Sequence, residues 1–329
     1  MSLNNQRTLL ITGAAGFIGY HATLKFVKDN FFFKIISVDN INSYYDTKLK
    51  KDRIKNLIKF KKVKFVKLDL SNFDSLKKLI KNNNITHIIH LAAQAGVRYS
   101  IYNPRVYFKS NILAFQNLLD IATEQKIKHF VYASSSSVYG DNKITPFNEG
   151  HNTDMPLSYY AASKKINEIL AHSYSAIHKL PATGLRFFTV YGSYGRPDMS
   201  YFKFTKDIIN EEKIELYNYG NHTRDFTHID DLTRVLKKII KKPSKDLVPS
   251  RVYNIGSAKK IKIMKLVNLI ERYTNKKAKI KYIKKQVGDV QDTLSSISKL
   301  KKDFNYLPKI KFENGIKEFV DWYKGYYKK

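Results

Sequence analysis

The chain contains no cysteine, so it forms no disulfide and offers no thiolate as nucleophile or metal ligand. That fits a reducing compartment, and a cytoplasmic location is the expectation. No apolar run approaches the ~18 residues that span a bilayer, so no membrane association is expected. Arg7 before an apolar stretch has the outline of a leader, but regularly spaced glycines and the missing small-residue cleavage pattern argue against one. The nine histidines show no metal-ligand spacing, so no metal is expected, and His90 beside Leu91 reads as core. Acidic residues are scarce: 28 Asp and Glu stand against 59 Lys and Arg, a formal net charge of +31. Such a field attracts polyanions. Yet only ten of the basic residues are arginine, and the lysines are spread along the chain in short pairs such as Lys61-Lys62 and Lys241-Lys242. This is the pattern of a solvated surface rather than a groove-reading site, so nucleic acid is not the expected partner, though anionic substrates would benefit from the field.

What is present begins at Thr8-Leu-Leu-Ile-Thr-Gly-Ala-Ala-Gly-Phe-Ile-Gly-Tyr20. Leu9, Leu10 and Ile11 form the short apolar run of a strand buried on both faces, and it stops at Gly13. Gly13, Gly16 and Gly19 then permit, in turn, a tight turn, close approach of a phosphate to the backbone, and packing of a new helix on the strand. That helix, beginning at Phe17 and Ile18, would point free N–H groups at a pyrophosphate. Lys34 to Asp39 reads as a second strand ending in an acid about 20 residues further on, where a carboxylate accepts ribose hydroxyls of NAD and repels the extra phosphate of NADP.

Further along, strand patterns recur at Val63 to Leu68, Thr86 to Leu91, Lys128 to Ala133 and Ala182 to Phe188. Helical patterns lie between them at Tyr44 to Lys62, Ser75 to Asn82, Pro104 to Gln125 and Leu157 to His178. This alternation specifies an α/β fold, a Rossmann-type doubly wound parallel sheet covered on both faces. Asp69 follows the third strand, placed for an adenine edge, and the small residues Ala92 and Ala93 follow the fourth, leaving room for a ligand. Beyond Val190 the regularity breaks into Pro, Gly and polar clusters, which predicts a smaller mixed lobe. The expected division is a dinucleotide domain over residues 1–188, to which the chain returns at about 225–256, and a second lobe from 189–224 and 257–329. Asp225 to Lys242 is expected to be helical, and Glu313 to Tyr327 forms a final amphipathic helix with Trp322 as packing.

The chemistry concentrates in two strings, Ser134-Ser-Ser-Ser-Val-Tyr-Gly140 and Ser158-Tyr-Tyr-Ala-Ala-Ser-Lys164. Tyr160 and Lys164 stand at i and i+4 on one helical face. A phenol of pKa ~10 is a poor base at neutral pH, but a nearby ammonium favours the phenolate. Tyr160 then takes a proton from a sugar hydroxyl as hydride leaves the same carbon, while Lys164 also holds the nicotinamide ribose. Ser135 would hydrogen-bond the reacting oxygen.

Together these residues resemble the extended short-chain dehydrogenase/reductase superfamily, in its nucleotide-sugar epimerase branch. The strings His90 to Ser100, Tyr132 to Gly140, Phe188 to Gly192, Gly195 to Met199 and Arg224 to Asp231 are most similar to UDP-glucuronate 4-epimerases. The resemblance runs over nearly the whole chain. It implies a tightly held NAD, a UDP-sugar substrate between the lobes, and a homodimer joined through the two long helices. It extends the NAD set to Asn40, Leu70, Leu91, Asn111 and Ser134, with Asn111 bridging a helix carbonyl and Lys164 through water. Related dehydratases and decarboxylases carry an acid just before Val-Tyr-Gly. Here Ser137 stands in that place, so the ketone's expected fate is to receive the hydride back.

A 4-keto glucuronate is a β-keto acid that loses CO₂ when its carboxylate bond stands perpendicular to the ketone plane. The site must therefore grip the carboxylate, and the resemblance assigns this to Ser136, Ser137, Thr189 and Arg196, hydroxyl donors plus a guanidinium that binds bidentately. Arg224 and Asp289 resemble diphosphate and ribose contacts and Tyr217 a uracil contact. Arg98 joins the substrate set, and Gln286 replaces an arginine of the galactose epimerases. The alternatives are an uncharged or N-acetylated UDP-hexose as substrate, or a non-catalytic nucleotide-sensing or nucleic-acid-binding protein.

Overall fold

The computed structural model describes residues 7–284 and 292–329. Six strands follow the expected order: β1 (Thr8–Thr12), β2 (Lys34–Asp39), β3 (Val63–Lys67), β4 (Ile85–His90), β5 (His129–Ser135) and β6 (Ala182–Phe187). Six more are β7 (Thr189–Tyr191), β8 (Lys213–Tyr217), β9 (Thr223–His228), β10 (Ser250–Ile255), β11 (Lys260–Lys262) and β12 (Lys279–Ile283).

The principal sheet has the order β10-β6-β5-β4-β1-β2-β3. From β6 to β3 its neighbours pair in parallel. The order reverses between β1 and β4, which opens a crevice at their carboxyl ends. Both faces are covered, so the strands are continuously apolar: Leu9, Leu10, Ile11, Ile35, Ile36, Ile88, Ile89, Phe130 and Val131 are all fully buried. On one face Leu76, Ile80, Phe115, Leu118 and Ala171 close the core.

Contacts divide the chain into two compact units. The first comprises Met1–Asn142, Glu149–Phe187 and Thr233–Tyr253, and the second Lys143–Asn148, Phe188–Leu232 and Asn254–Lys329. In the second, β11, β9 and β7 form one small sheet, parallel between β7 and β9 and antiparallel between β11 and β9, while β12 and β8 form a parallel pair. Trp322 packs there against Tyr194, Phe319 and Tyr326.

Two elements depart from the expected pattern. Asp225 to His228 is strand, not helix, and the helix runs only over Ile229–Ile239. Asp225 is buried and accepts hydrogen bonds from Ser257, Ala258 and Ser295, so it ties loops to β9 instead of starting a helix. The long helix expected from Pro104 is interrupted: Pro104–Tyr107 and Ala114–Glu124 flank a wider π-helical stretch, Phe108–Leu113. Among the described residues no helix is long and apolar enough to cross a membrane.

Candidate active site

Gly13 sits at φ +70°, and a Cβ there would lie 2.6 Å from the backbone nitrogen of Ala92. Gly19 is equally constrained, since its Cβ would meet the Gly13 carbonyl oxygen at 2.1 Å. The turn therefore closes only with hydrogen at these positions. It delivers the helix Phe17–Val27 with Gly16 at its N-cap, no side chain capping it and no acid in its first turn. These N–H groups are available to an anion, as the expected pyrophosphate requires. Phe17 is buried and Ile18 half-buried behind the turn.

Asp39 ends β2 beside this turn. Its Oδ2 accepts from Ala15 N at 3.0 Å and its Oδ1 from Ile41 N at 2.8 Å. Burial raises its pKa, against these two hydrogen bonds and the nearby charges of Lys50 and Arg53. Each carboxylate oxygen keeps a second lone pair for a ribose hydroxyl. The cradle and this acid fit a dinucleotide.

Leu91, Ala92 and Ala93 continue β4 and are half-buried. Thr12 Oγ1 accepts from the backbone N–H groups of Leu91 and Ala92, both at 3.2 Å, and pairs with His90 Nδ1 at 2.8 Å. His90 is core: burial, then the Lys164 charge, lower its pKa to about 3.

The helix Tyr159–His178 starts cleanly because Ser158 caps it, its Oγ accepting from Ala161 N at 3.1 Å. Tyr160 is half-buried, its ring edge-on to that of Tyr107 at 6.1 Å between centroids. One turn later Lys164 is 1% exposed and donates from Nζ to the carbonyl of Ala133 at 2.9 Å. Burial lowers its pKa to about 8. Ser135 ends β5, and its Oγ accepts from Ser137 N at 3.1 Å and lies 3.2 Å from Ser137 Oγ. Ser136 and Ser137, both half-buried, open the short turn to Tyr139. Thus Lys164 is brought to the strand end that carries the serines.

The other candidates in the first unit make contacts within the fold. Ser134 Oγ donates to Glu168 Oε1 at 2.5 Å. Asn111 lies in the π-helical stretch, where its amide accepts from Gln94 N at 2.7 Å and donates to Gln94 O and Ser163 Oγ, both at 3.0 Å. Those bonds fix the loop after β4 directly. Leu70 is a core side chain, and its carbonyl accepts from Asn117. Asp69 accepts from Ser71 N and Oγ and lies 3.6 Å from Lys109 Nζ. Asn40 is exposed and accepts from Asn42 N, and Arg98 is exposed near the start of the helix Val97–Tyr102.

In the second unit Thr189 opens β7, half-buried. Arg196 is forked onto Asp198, with Nε donating to Oδ1 at 3.0 Å and Nη2 to Oδ2. Tyr217 donates to Glu215 Oε2 at 3.0 Å, and Arg224 Nη1 to the carbonyl of Thr223. Gln286 and Asp289 lie outside the described residues.

Glu168 and Arg186 were missed by the sequence reading. Arg186 donates from Nε and Nη2 to the two Glu168 carboxylate oxygens at 2.9 and 2.8 Å, both side chains nearly fully buried. A signal existed, for Glu168 follows Tyr160 and Lys164 at another i+4 step.

A profile of the NAD dependent epimerase/dehydratase family matches residues 9–256. The chain belongs to this family. Family membership makes it an NAD-dependent enzyme, in keeping with the glycine cradle and Asp39. Among its relatives, protein CapI of Staphylococcus aureus is 45% identical over 98% of this chain and 99% of its own length. UDP-glucuronate 4-epimerase 4 of Arabidopsis thaliana is 44% identical over 99% of this chain and 77% of its own. Among solved structures, UDP-glucuronic acid 4-epimerase from Bacillus cereus, in complex with UDP-glucuronic acid and NAD, superposes with a TM-score of 0.91 at 31% identity, covering 97% of this chain and 100% of that one.

Proposed function

We propose that the protein interconverts UDP-glucuronate and UDP-galacturonate by NAD-dependent inversion at C4 of the sugar. The observation that carries this reading is the buried Lys164 ammonium on Ala133 O, one helical turn from Tyr160 and at the strand end that leads into Ser135. Relatives named for the same reaction support it.

Bound NAD would supply reversible hydride acceptance for C4 of the sugar. The turn at Gly13, Gly16 and Gly19 would hold its pyrophosphate and Asp39 its adenosine ribose. The Tyr160 oxygen takes the proton from the C4 hydroxyl and gives it back, with the Lys164 charge favouring the phenolate. Ser135 hydrogen-bonds the same oxygen as its charge changes. Ser136, Ser137, Thr189 and Arg196 hold the carboxylate so that CO₂ is retained. Tyr217, Arg224, Gln286 and Asp289 are assigned to the nucleotide and diphosphate, and Arg98 to the substrate. With Ser137 before Val138, that position offers no acid to expel water from the ketone.

A homodimer joined through the long helices is part of the reading. Its support is the run of exposed apolar side chains Phe108, Leu113, Ile169 and Ile177 on those helices, which sedimentation of the purified protein tests.

An uncharged UDP-hexose is the second reading, favoured by one observation: Arg196 already has a carboxylate partner in Asp198. The deciding experiment separates the products formed from UDP-glucuronate, with Tyr160→Phe as control and UDP-glucose and UDP-N-acetylglucosamine as competitors. UDP-galacturonate formed by wild type and not by the variant is expected. A pentose with CO₂ as the main product, or turnover of the neutral sugars alone, rejects the reading.

A further inference from the structure

The ion pair of Glu168 and Arg186 is buried in the first unit and has no part in the chemistry just described. Replacing such a pair by apolar residues is often neutral or stabilising, so stability alone does not explain it. What it touches is more informative. Ser134 and Arg186 stand opposite each other in the β5–β6 register, so their side chains leave the sheet on the same side. There Glu168 Oε1 receives both Ser134 Oγ, at 2.5 Å, and Arg186 Nε, at 2.9 Å. Arg186 Nη1 donates in turn to the Tyr139 hydroxyl at 3.1 Å, at the far end of the serine turn, and the guanidinium lies over the Tyr139 ring.

The helix Tyr159–His178 therefore grips the end of β5 at two consecutive residues. Lys164 holds the Ala133 carbonyl, and Glu168, one turn on, holds the Ser134 hydroxyl. Tyr160, Lys164 and Glu168 occupy successive i+4 positions of one stripe. The residue after these two anchors is Ser135.

We infer that Glu168 and Arg186 are positioning residues, which through Ser134 and Tyr139 fix the Ser135 hydroxyl relative to the Tyr160 and Lys164 side chains. This rests on the proposed epimerase reading. The consequence is kinetic: a reacting group displaced by about 1 Å can cost on the order of 100-fold in rate without weakening binding.

Two variants test it. Ser134→Ala cuts one anchor and leaves the ion pair intact. Glu168→Leu with Arg186→Met removes the network while leaving no unpaired buried charge, so folding is retained even if Glu168→Gln alone fails. For both, with rates normalised to protein-bound NAD, kcat is expected to fall roughly 10- to 100-fold. The KM for the UDP-sugar is expected to stay within about twofold, and the pH at which kcat declines on the alkaline side to stay unchanged. A stable double variant with wild-type kcat overturns the inference, as does a change confined to KM. Wild-type protein that turns over no sugar nucleotide rejects the epimerase reading instead. The inference is then decided by crystal structures of wild type and Ser134→Ala, where a shift of the Ser135 hydroxyl of about 0.5 Å or more supports it and an unmoved hydroxyl rejects it.

Discussion

The Lys164 ammonium lies 2.9 Å from the carbonyl oxygen of Ala133, so one of its three donors is fixed on the strand that ends in Ser135. The others remain for a ligand and for the electrostatic support of Tyr160. Burial has lowered this lysine to about 8, so the charged form that favours the phenolate is lost as pH rises through that value. The kcat profile is expected to decline on the alkaline side with an apparent pKa near 8. Lys164→Met should lower kcat by about 100-fold or more and abolish that limb. Stability moves the other way. Above pH 8 the unfolded chain holds a proton that the folded chain has shed, so this residue's contribution improves with pH up to its ordinary value of 10.5. Lys164→Met should therefore be more stable than wild type at pH 7, with the gap narrowing by pH 9.5 in denaturant titrations.

The glycine turn makes a paired prediction. A methyl group at Gly19 would meet the Gly13 carbonyl oxygen at 2.1 Å, whereas one at Gly325 has no atom within 4 Å. Gly19→Ala should lose bound NAD and lower the thermal midpoint. Gly325→Ala, near the end of the helix Phe312–Tyr327, should be neutral or stabilising by up to about 1 kcal/mol with unchanged activity. Cofactor content and thermal melts of the two proteins check this.

These residues also show how far letters alone could reach. Gly13, Gly19, Asp39, Tyr160 and Lys164 were legible because each is forced by a local requirement, a positive φ, a strand end or a helical spacing. β2 could be bounded from the sequence because its apolar run ends at the acid itself. The contact of Ser134 with Glu168 was not legible, because adjacent strand residues point to opposite faces and two neighbouring serines have different partners. Asp225 misled because an acid before an apolar run resembles a helix start, while its real partners, Ser257 and Ser295, are distant in sequence. The π-helical stretch around Asn111 has no composition signal, being set by what the amide must reach on the β4 loop.

Asp198 is expected to tune substrate charge selection. Because it occupies the Arg196 fork, a sugar carboxylate gripped there as proposed would compete with it. Asp198→Ala should lower KM for UDP-glucuronate roughly 2–5-fold, the worth of a partly exposed ion pair, with little change for UDP-glucose. An equal change for both substrates in steady-state assays would remove Arg196 from the carboxylate grip.

Asp29 predicts an acid-sensitive step in stability. Burial raises its pKa, but hydrogen bonds from Lys237, Lys241 and the Phe31 N–H outweigh this and hold it at about 2, against an ordinary 3.8. Its contribution is present above pH 3.8 and lost as pH falls toward 2, when the folded state must take up the proton. Asp29→Asn should be less stable at pH 7 by about 1–3 kcal/mol, and its stability should vary less than that of wild type between pH 4 and pH 2. Urea titrations across that range provide the comparison.

The central claim is that one hydride leaves C4 and returns to C4 from the other side. Incubation with UDP-glucuronate deuterated at C4, followed by mass and NMR analysis of the product, tests it directly. UDP-galacturonate that keeps the deuterium at C4, with no label lost to water, is the predicted result. Product carrying a solvent hydrogen at C4 would contradict it.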